Sequence, residues 1–326
     1  MKERKLRVLD ANLLYLICGI LFITIGGYLQ SKNLWSGLII TQYLIVLAPP
    51  VLYLLLRKIN IKKTMRVNKI SVKHGFLVAL ITILMYPTAL FANTVFMFLL
   101  SLLGNLNVPQ LPMPENIREY LIMIPIVSLT AGLCEEVLFR GFVMAGYERL
   151  GKKRAIIISA VLFGFFHMNI YNLMGPIVLG LVFGYLVVVT DSIFAGVIGH
   201  MVNNGFALTL GFGVNYIMQK VDLEKYAQAD KPEVSTTVSL LVSAIFFAGL
   251  GIAFGLIGYQ LIKIIKRDMD AKQDKLHDGQ VENREEEIQN EQHKQTRTIE
   301  FLPLALMFVG IIFFAFLQVR EIIHLG

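Results

Sequence analysis

The chain has 326 residues, 56% of them hydrophobic and only 16% charged, with a mean hydropathy of +0.64. Its apolar residues fall in runs of about 18 or more, the length a helix needs to cross roughly 30 Å of hydrocarbon, which excludes an ordinary soluble domain. The formal charge of +7 raises nucleic acid as a partner, but the basic residues flank the apolar runs, where they set orientation and meet anionic lipid.

In chain order, hydropathy places spans near 11–29, 36–56, 75–103, 119–146, 154–170, 172–190, 193–213, 236–262 and 301–319. The expected fold class is therefore all-α, a polytopic transmembrane bundle of about eight or nine spans around a polar cavity. No alternating pattern suggests a membrane barrel. The first run follows MKERKLRVLD and is too long for a signal h-region, with no small-x-small cleavage site after it, so it reads as a retained span. Pro87 interrupts the third run and marks a candidate kink. Cys18 and Cys134 both lie in apolar runs and read as small buried hydrophobes. Segment 266–300 is polar and mixed in charge, a solvated linker that is disordered or a fraying helix; its His277 and His293 read as solvated side chains.

The loops test the span count. With a cytoplasmic N-terminus, the N-terminal segment, 57–74, 147–154 and 263–300 share one side, and they hold 23 of the 30 Lys and Arg residues. The expected topology is N-in and C-out.

Charge inside a span costs about 2.5–3.5 kcal/mol on insertion scales, so each instance needs a reason. The fourth span holds Glu135, Glu136 and Arg140. Glu136 and Arg140 are i and i+4 on one helix face and can pair, while Glu135 points about 100° away. One glutamate can thus be held by the arginine while the other faces a cavity. The next span contributes Phe163 and His167, and a later one His200 and Asn204, again one turn apart. At about 1.5 Å per residue, Glu135, His167 and His200 fall at compatible depths, on the order of 10–20 Å below the cytoplasmic surface. A single His or Asn in a membrane helix is commonly interhelical glue, and Phe163 alone reads as packing. The full set at matched depth points instead to chemistry.

Glu135-Glu136-x-x-x-Arg140, Phe163-x-x-x-His167 and His200-x-x-x-Asn204 resemble the three signature motifs of the CAAX-protease and bacteriocin-processing (CPBP, or Abi) family, over about residues 119–211. The resemblance implies a cavity-bearing helical bundle that hydrolyses peptide bonds of a membrane-associated or lipidated peptide or protein. It implies catalytic roles at Glu135, Glu136, Arg140, His167, His200 and Asn204. Glu135 would activate water with help from His167, His200 and Asn204 would bind the oxyanion, and Glu136 and Arg140 would fix the helix. The sequence cannot rotate the helix, so the two glutamates could exchange roles.

Metal stays open at this stage. Glu135, His167 and His200 form a possible His2Glu zinc set, yet no HExxH occurs and a glutamate alone can activate cavity water. No other cofactor is implied, and lipid and a membrane-associated substrate are the expected partners, not nucleic acid. The alternative function is a non-enzymatic bacteriocin self-immunity or membrane scaffold protein. A transporter is disfavoured because no inverted repeat is visible. The organisation expected is N-terminal helices 1–118, a catalytic core 119–213, an extracytoplasmic loop and span 214–265, the linker 266–300 and a last helix 301–326.

Overall fold

The computed structural model describes residues 4–109, 112–220, 235–277 and 297–325. Among these residues the fold is all-α with no strand. Nine principal helices follow one another: α1 (Val8–Lys32), α2 (Leu34–Leu56), α3 (Val72–Ser101), α4 (Ile117–Leu150), α5 (Lys152–Phe166), α6 (Met174–Thr190), α7 (Ile193–Lys220), α8 (Thr236–His277) and α9 (Leu302–Leu325). Seven of them are long and apolar enough to cross a membrane. The chain is a multi-pass membrane protein. Its large side chains point outward as readily as inward: Leu44, Ile252 and Val309 are each about two-thirds exposed. Such an apolar exterior suits a lipid solvent, where burial does not depend on escaping water.

Helices α5 and α6 differ from the spans expected at 154–170 and 172–190. They have 15 and 17 residues, and a loop that carries Ile170, Tyr171 and Leu173 separates them. Those loop side chains are apolar and buried, so hydropathy merges them into the flanking runs. Protein neighbours bury these side chains and an open cavity lies beside the loop, the two settings in which non-helical chain is tolerated at membrane depth. Helix α3 runs unbroken through Pro87. Helix α8 continues to His277, well into the segment expected to be a linker, and Glu300 is buried in the turn Thr298–Phe301 that leads into α9. His293 lies outside the described residues, as does the side chain of His277.

Local sequence sets the helix ends. Asn33, Ser71 and Asn116 cap α2, α3 and α4, each side-chain oxygen accepting from the backbone N–H three residues on. Gly151, at φ 100°, turns the chain from α4 into α5. Asp191 adopts φ 46° between α6 and α7, and Arg66 reaches it at 3.1 Å and Glu148 at 2.6 Å. One guanidinium thus ties the 57–71 loop, the end of α4 and the α6–α7 turn together. Burial opposes the charge on Arg66, but the two carboxylates outweigh it and hold this group above its ordinary value.

At the same end, Glu300 accepts from Leu9 N at 3.3 Å and meets Arg149 at 3.3 Å, while Lys73 pairs with Asp268 at 2.6 Å. The segments richest in Lys and Arg therefore gather at one end of the bundle. Helices α3 and α8 pack along their length, and α9 lies on α1. The core runs through Tyr15, Phe139, Phe163 and Phe166, whose rings meet edge-on or tilted. Cys18 and Cys134 are buried and free, as expected.

Candidate active site

Helix α4 is unusual over the stretch that carries the glutamates. It winds as a π-helix over Pro125–Thr130, returns to α over Ala131–Glu136, and is π again over Val137–Val143. Helix α2, which faces it, is π over Thr41–Leu47. Such i→i+5 stretches are uncommon and cluster at functional sites, because they widen the helix and re-aim its side chains. Close approach does the rest. A Cβ on Gly132 would lie 3.0 Å from the backbone nitrogen of Met201, so only a glycine lets α4 and α7 touch at this level. That contact brings His200 against the two glutamates.

Glu136 is fully buried. Its Oε1 accepts from Arg140 Nη1 at 2.7 Å and lies 3.0 Å from His200 Nδ1. Arg140 is buried as well, and its guanidinium lies 4.6 Å from the Phe163 ring centre and 5.9 Å from that of Phe183. Aromatic faces therefore take the place of water around this cation. Glu135 occupies a different environment. Its side chain keeps 14% of its surface accessible, its Oε1 accepts from Gln42 Nε2 at 2.7 Å, and its Oε2 lies 3.8 Å from His200 Nε2. The two ring nitrogens of His200 thus face consecutive glutamates.

His167 caps the end of α5, with Nδ1 2.9 Å from the Phe163 carbonyl. It reaches the rest of the group through the Phe163 ring, which contacts the His167 ring at 5.0 Å and the His200 ring at 5.5 Å. Asn204, one turn beyond His200, donates from Nδ2 to the Val127 carbonyl at 3.0 Å and accepts from Asn203 at its Oδ1. Glu135, Glu136, Arg140 and His200 therefore form one polar network. His167 joins it across an aromatic ring, and Asn204 is anchored to the π-helical part of α4. Phe163 packs, as expected, but it also walls in both imidazoles and the guanidinium.

A model of the type II CAAX prenyl endopeptidase Rce1-like family matches residues 117–206, the stretch from the start of α4 into α7. The matched stretch carries all three motifs that resemble those of the CPBP family, and so supports that resemblance. A relative in Bacillus subtilis (strain 168), named "Putative membrane peptidase YdiL", is 26% identical over 133 residues. That match takes in 40% of this chain and 50% of the relative, so the chain spans about half the length of the curated protein it matches. No solved structure matches.

One partner of the glutamates lies outside the matched segment. Gln42, on α2, is the partner of Glu135 that sequence reading missed. The signal was present, since Gln42 is the sole carboxamide in the 36–56 run, but a lone uncharged amide outside the motif region stands out far less than a charge does. Among the described residues, no group of three or more His, Cys, Asp or Glu side chains is arranged to hold a metal ion. Glu135, His167 and His200 do not converge as a ligand set.

Proposed function

We propose that this chain is an intramembrane endopeptidase, and that Glu135 is the base that activates its water. The observation that carries this reading is the contrast between the two glutamates. Glu136 is sealed and spent on Arg140 and His200, whereas Glu135 is partly open and positioned by a neutral amide. A general base must reach its water and keep a lone pair for the proton, and Glu135 meets both conditions.

The remaining roles follow from the same geometry. Glu136 orients His200 through Nδ1, which leaves Nε2 turned toward the space beside Glu135. With Nδ1–H given to Glu136, the imidazolium form of His200 carries an N–H at Nε2 that can meet the oxyanion of a tetrahedral intermediate. Asn204 uses one amide hydrogen on Val127 and retains a second on the same nitrogen for that oxyanion. The proton that Glu135 takes from the water passes to the leaving amine, and His167, opposite His200 across the Phe163 ring, assists that transfer. Arg140 pairs with Glu136 and holds it in place, with no contact to substrate. The 117–206 match and the similarity to a protein named as a membrane peptidase support the same class of reaction. A peptide or protein tethered to the membrane, by a lipid or by its own span, is the substrate class that can reach a site at this depth.

The test compares cells that carry the intact chain with cells that carry Glu135→Gln. Membrane-associated peptides are profiled by mass spectrometry, and the purified proteins in lipid nanodiscs are then given the candidate precursor. A precursor that accumulates only with Glu135→Gln, and is cut only by the intact chain, supports the assignment. Equal cutting by the two proteins removes Glu135 as the base. An unchanged peptide profile together with an unchanged cellular phenotype favours a scaffold or immunity role.

A further inference from the structure

His167 stands at a point where the backbone changes direction sharply. Helix α5 ends on it, and the next residue, Met168, adopts φ 50°, a left-handed conformation disfavoured for a side chain of this kind. Something must hold the chain there. Two side-chain amides do so, and each engages both a donor and an acceptor of the loop. Gln318 of α9 donates from Nε2 to the Met168 carbonyl at 2.9 Å and accepts from Ile170 N at 2.9 Å. Asn93 of α3 donates from Nδ2 to the Tyr171 carbonyl at 2.8 Å and accepts from Gly175 N at 3.3 Å. Neither residue lies in the 117–206 segment. Of the two, Gln318 grips the peptide groups immediately after His167.

We infer that Gln318 is a positioning residue: by clamping Met168 and Ile170 it fixes the end of α5 and so the direction in which the His167 imidazole points. The inference gives the last helix a purpose. At its start, Glu300 receives Leu9 N and Arg149, and Asn12 donates to the Glu300 carbonyl at 2.8 Å. Near its other end, Gln318 reaches the His167 loop. Helix α9 is thus a brace, fastened at one end to α1 and α4 and at the other to the loop that carries a proposed catalytic imidazole. A leucine at 318 would fill similar space and sever both bonds. An open cavity of about 400 Å3 beside the loop, lined by Asn107, Asn169, Tyr171 and Glu321 among others, gives water access to the freed backbone groups. The fold should therefore tolerate the change even as the imidazole loses its fixed setting.

The catalytic consequence rests on the endopeptidase reading, but the positional one does not, and the experiment separates them. Full-length protein labelled with 15N-histidine is placed in nanodiscs, and the His167 resonances are assigned by their loss in His167→Gln. Gln318→Leu is expected to move or broaden the His167 imidazole signals while those of His200 stay in place. Gln318→Glu keeps an acceptor for Ile170 N but sets a carboxylate oxygen against the Met168 carbonyl, and should move them as well. In the cleavage assay Gln318→Leu should lower kcat about tenfold or more with KM little changed, the scale expected from losing two hydrogen bonds that position one group. Met307→Ala, which weakens apolar packing of the same helix against α1 beside Gly19, is the control and should leave the His167 signals unmoved. Unchanged His167 signals in Gln318→Leu, or an equal shift in Met307→Ala, overturn the inference. A wild-type chain that cleaves nothing, but whose His167 signals respond to Gln318→Leu, retains the brace and discards the protease.

Discussion

Gln42 donates its side-chain amide to Glu135 Oε1 at 2.7 Å, from a helix that lies 93 residues earlier in the chain. That bond joins α2 to the matched segment 117–206 and fixes one carboxylate oxygen of the proposed base. A positioned base keeps its other oxygen aimed at water, so removing the donor should cost turnover more than binding. Hydrogen bonds to charged groups are worth about 1.5–3 kcal/mol, equivalent to roughly 10- to 100-fold in rate. Gln42→Leu is expected to lower kcat within that range with KM little altered, as measured on the purified chain in nanodiscs. Full turnover in Gln42→Leu would separate this contact from catalysis.

The buried pair Glu136–Arg140 leads to a stability prediction. Both side chains are inaccessible and their N–O distance is 2.7 Å. Removal of one partner from a buried ion pair strands the other charge, at a cost of about 3–5 kcal/mol. Glu136→Gln and Arg140→Met should each lower the thermal unfolding midpoint markedly in detergent. The double variant removes both charges together and should be less destabilised than the sum of the single changes. Strict additivity would mean that the pair does not couple.

The motifs on α4, α5 and α7 were legible in the sequence because charged and imidazole side chains stand out in apolar runs, and the structure joins four of those residues in one network. What escaped notice shares a common cause. Gln42, Asn93 and Gln318 are uncharged amides in spans outside the motif region, and their value comes from partners far away in the chain. The π-helical stretches of α2 and α4 have no local signature that periodicity can detect. Hydropathy extended α5 and α6 into full spans because the buried loop between them is itself apolar.

The gathering of basic loops gives a prediction on orientation. Arg66 connects the 57–71 loop to Glu148 and Asp191, and Arg149 connects α4 to Glu300. These segments share one face, and that face holds most of the Lys and Arg residues, so the positive-inside rule predicts that it faces the cytoplasm. Single cysteines placed at exposed positions 62 and 267, in a chain lacking Cys18 and Cys134, should resist a membrane-impermeant thiol reagent in intact cells. They should react once the membrane is opened, whereas a cysteine at exposed position 31 should react in intact cells. Labelling of 62 in intact cells would invert the topology.

Gly196 sits where α7 passes the buried carboxylate, and a Cβ built there would lie 2.3 Å from Glu136 Oε2 and 3.0 Å from a methyl of Val187. A flexible carboxylate could ordinarily swing aside. This one cannot do so freely, because its other oxygen is held by both Arg140 and His200. Gly196→Ala must therefore either separate α7 from α4 or break one of those two bonds, and each outcome displaces His200 from Glu135. Overpacking of this kind costs about 1–3 kcal/mol, while alanine in place of glycine within a helix returns roughly 0.5–1 kcal/mol. Unfolding should therefore shift modestly while cleavage falls steeply. Gly75→Ala, whose Cβ would meet Ile198 at an ordinary 3.4 Å, supplies the matched control and should retain activity. If Gly196→Ala cleaves as well as Gly75→Ala, the close placement of His200 against the glutamates is not what catalysis requires.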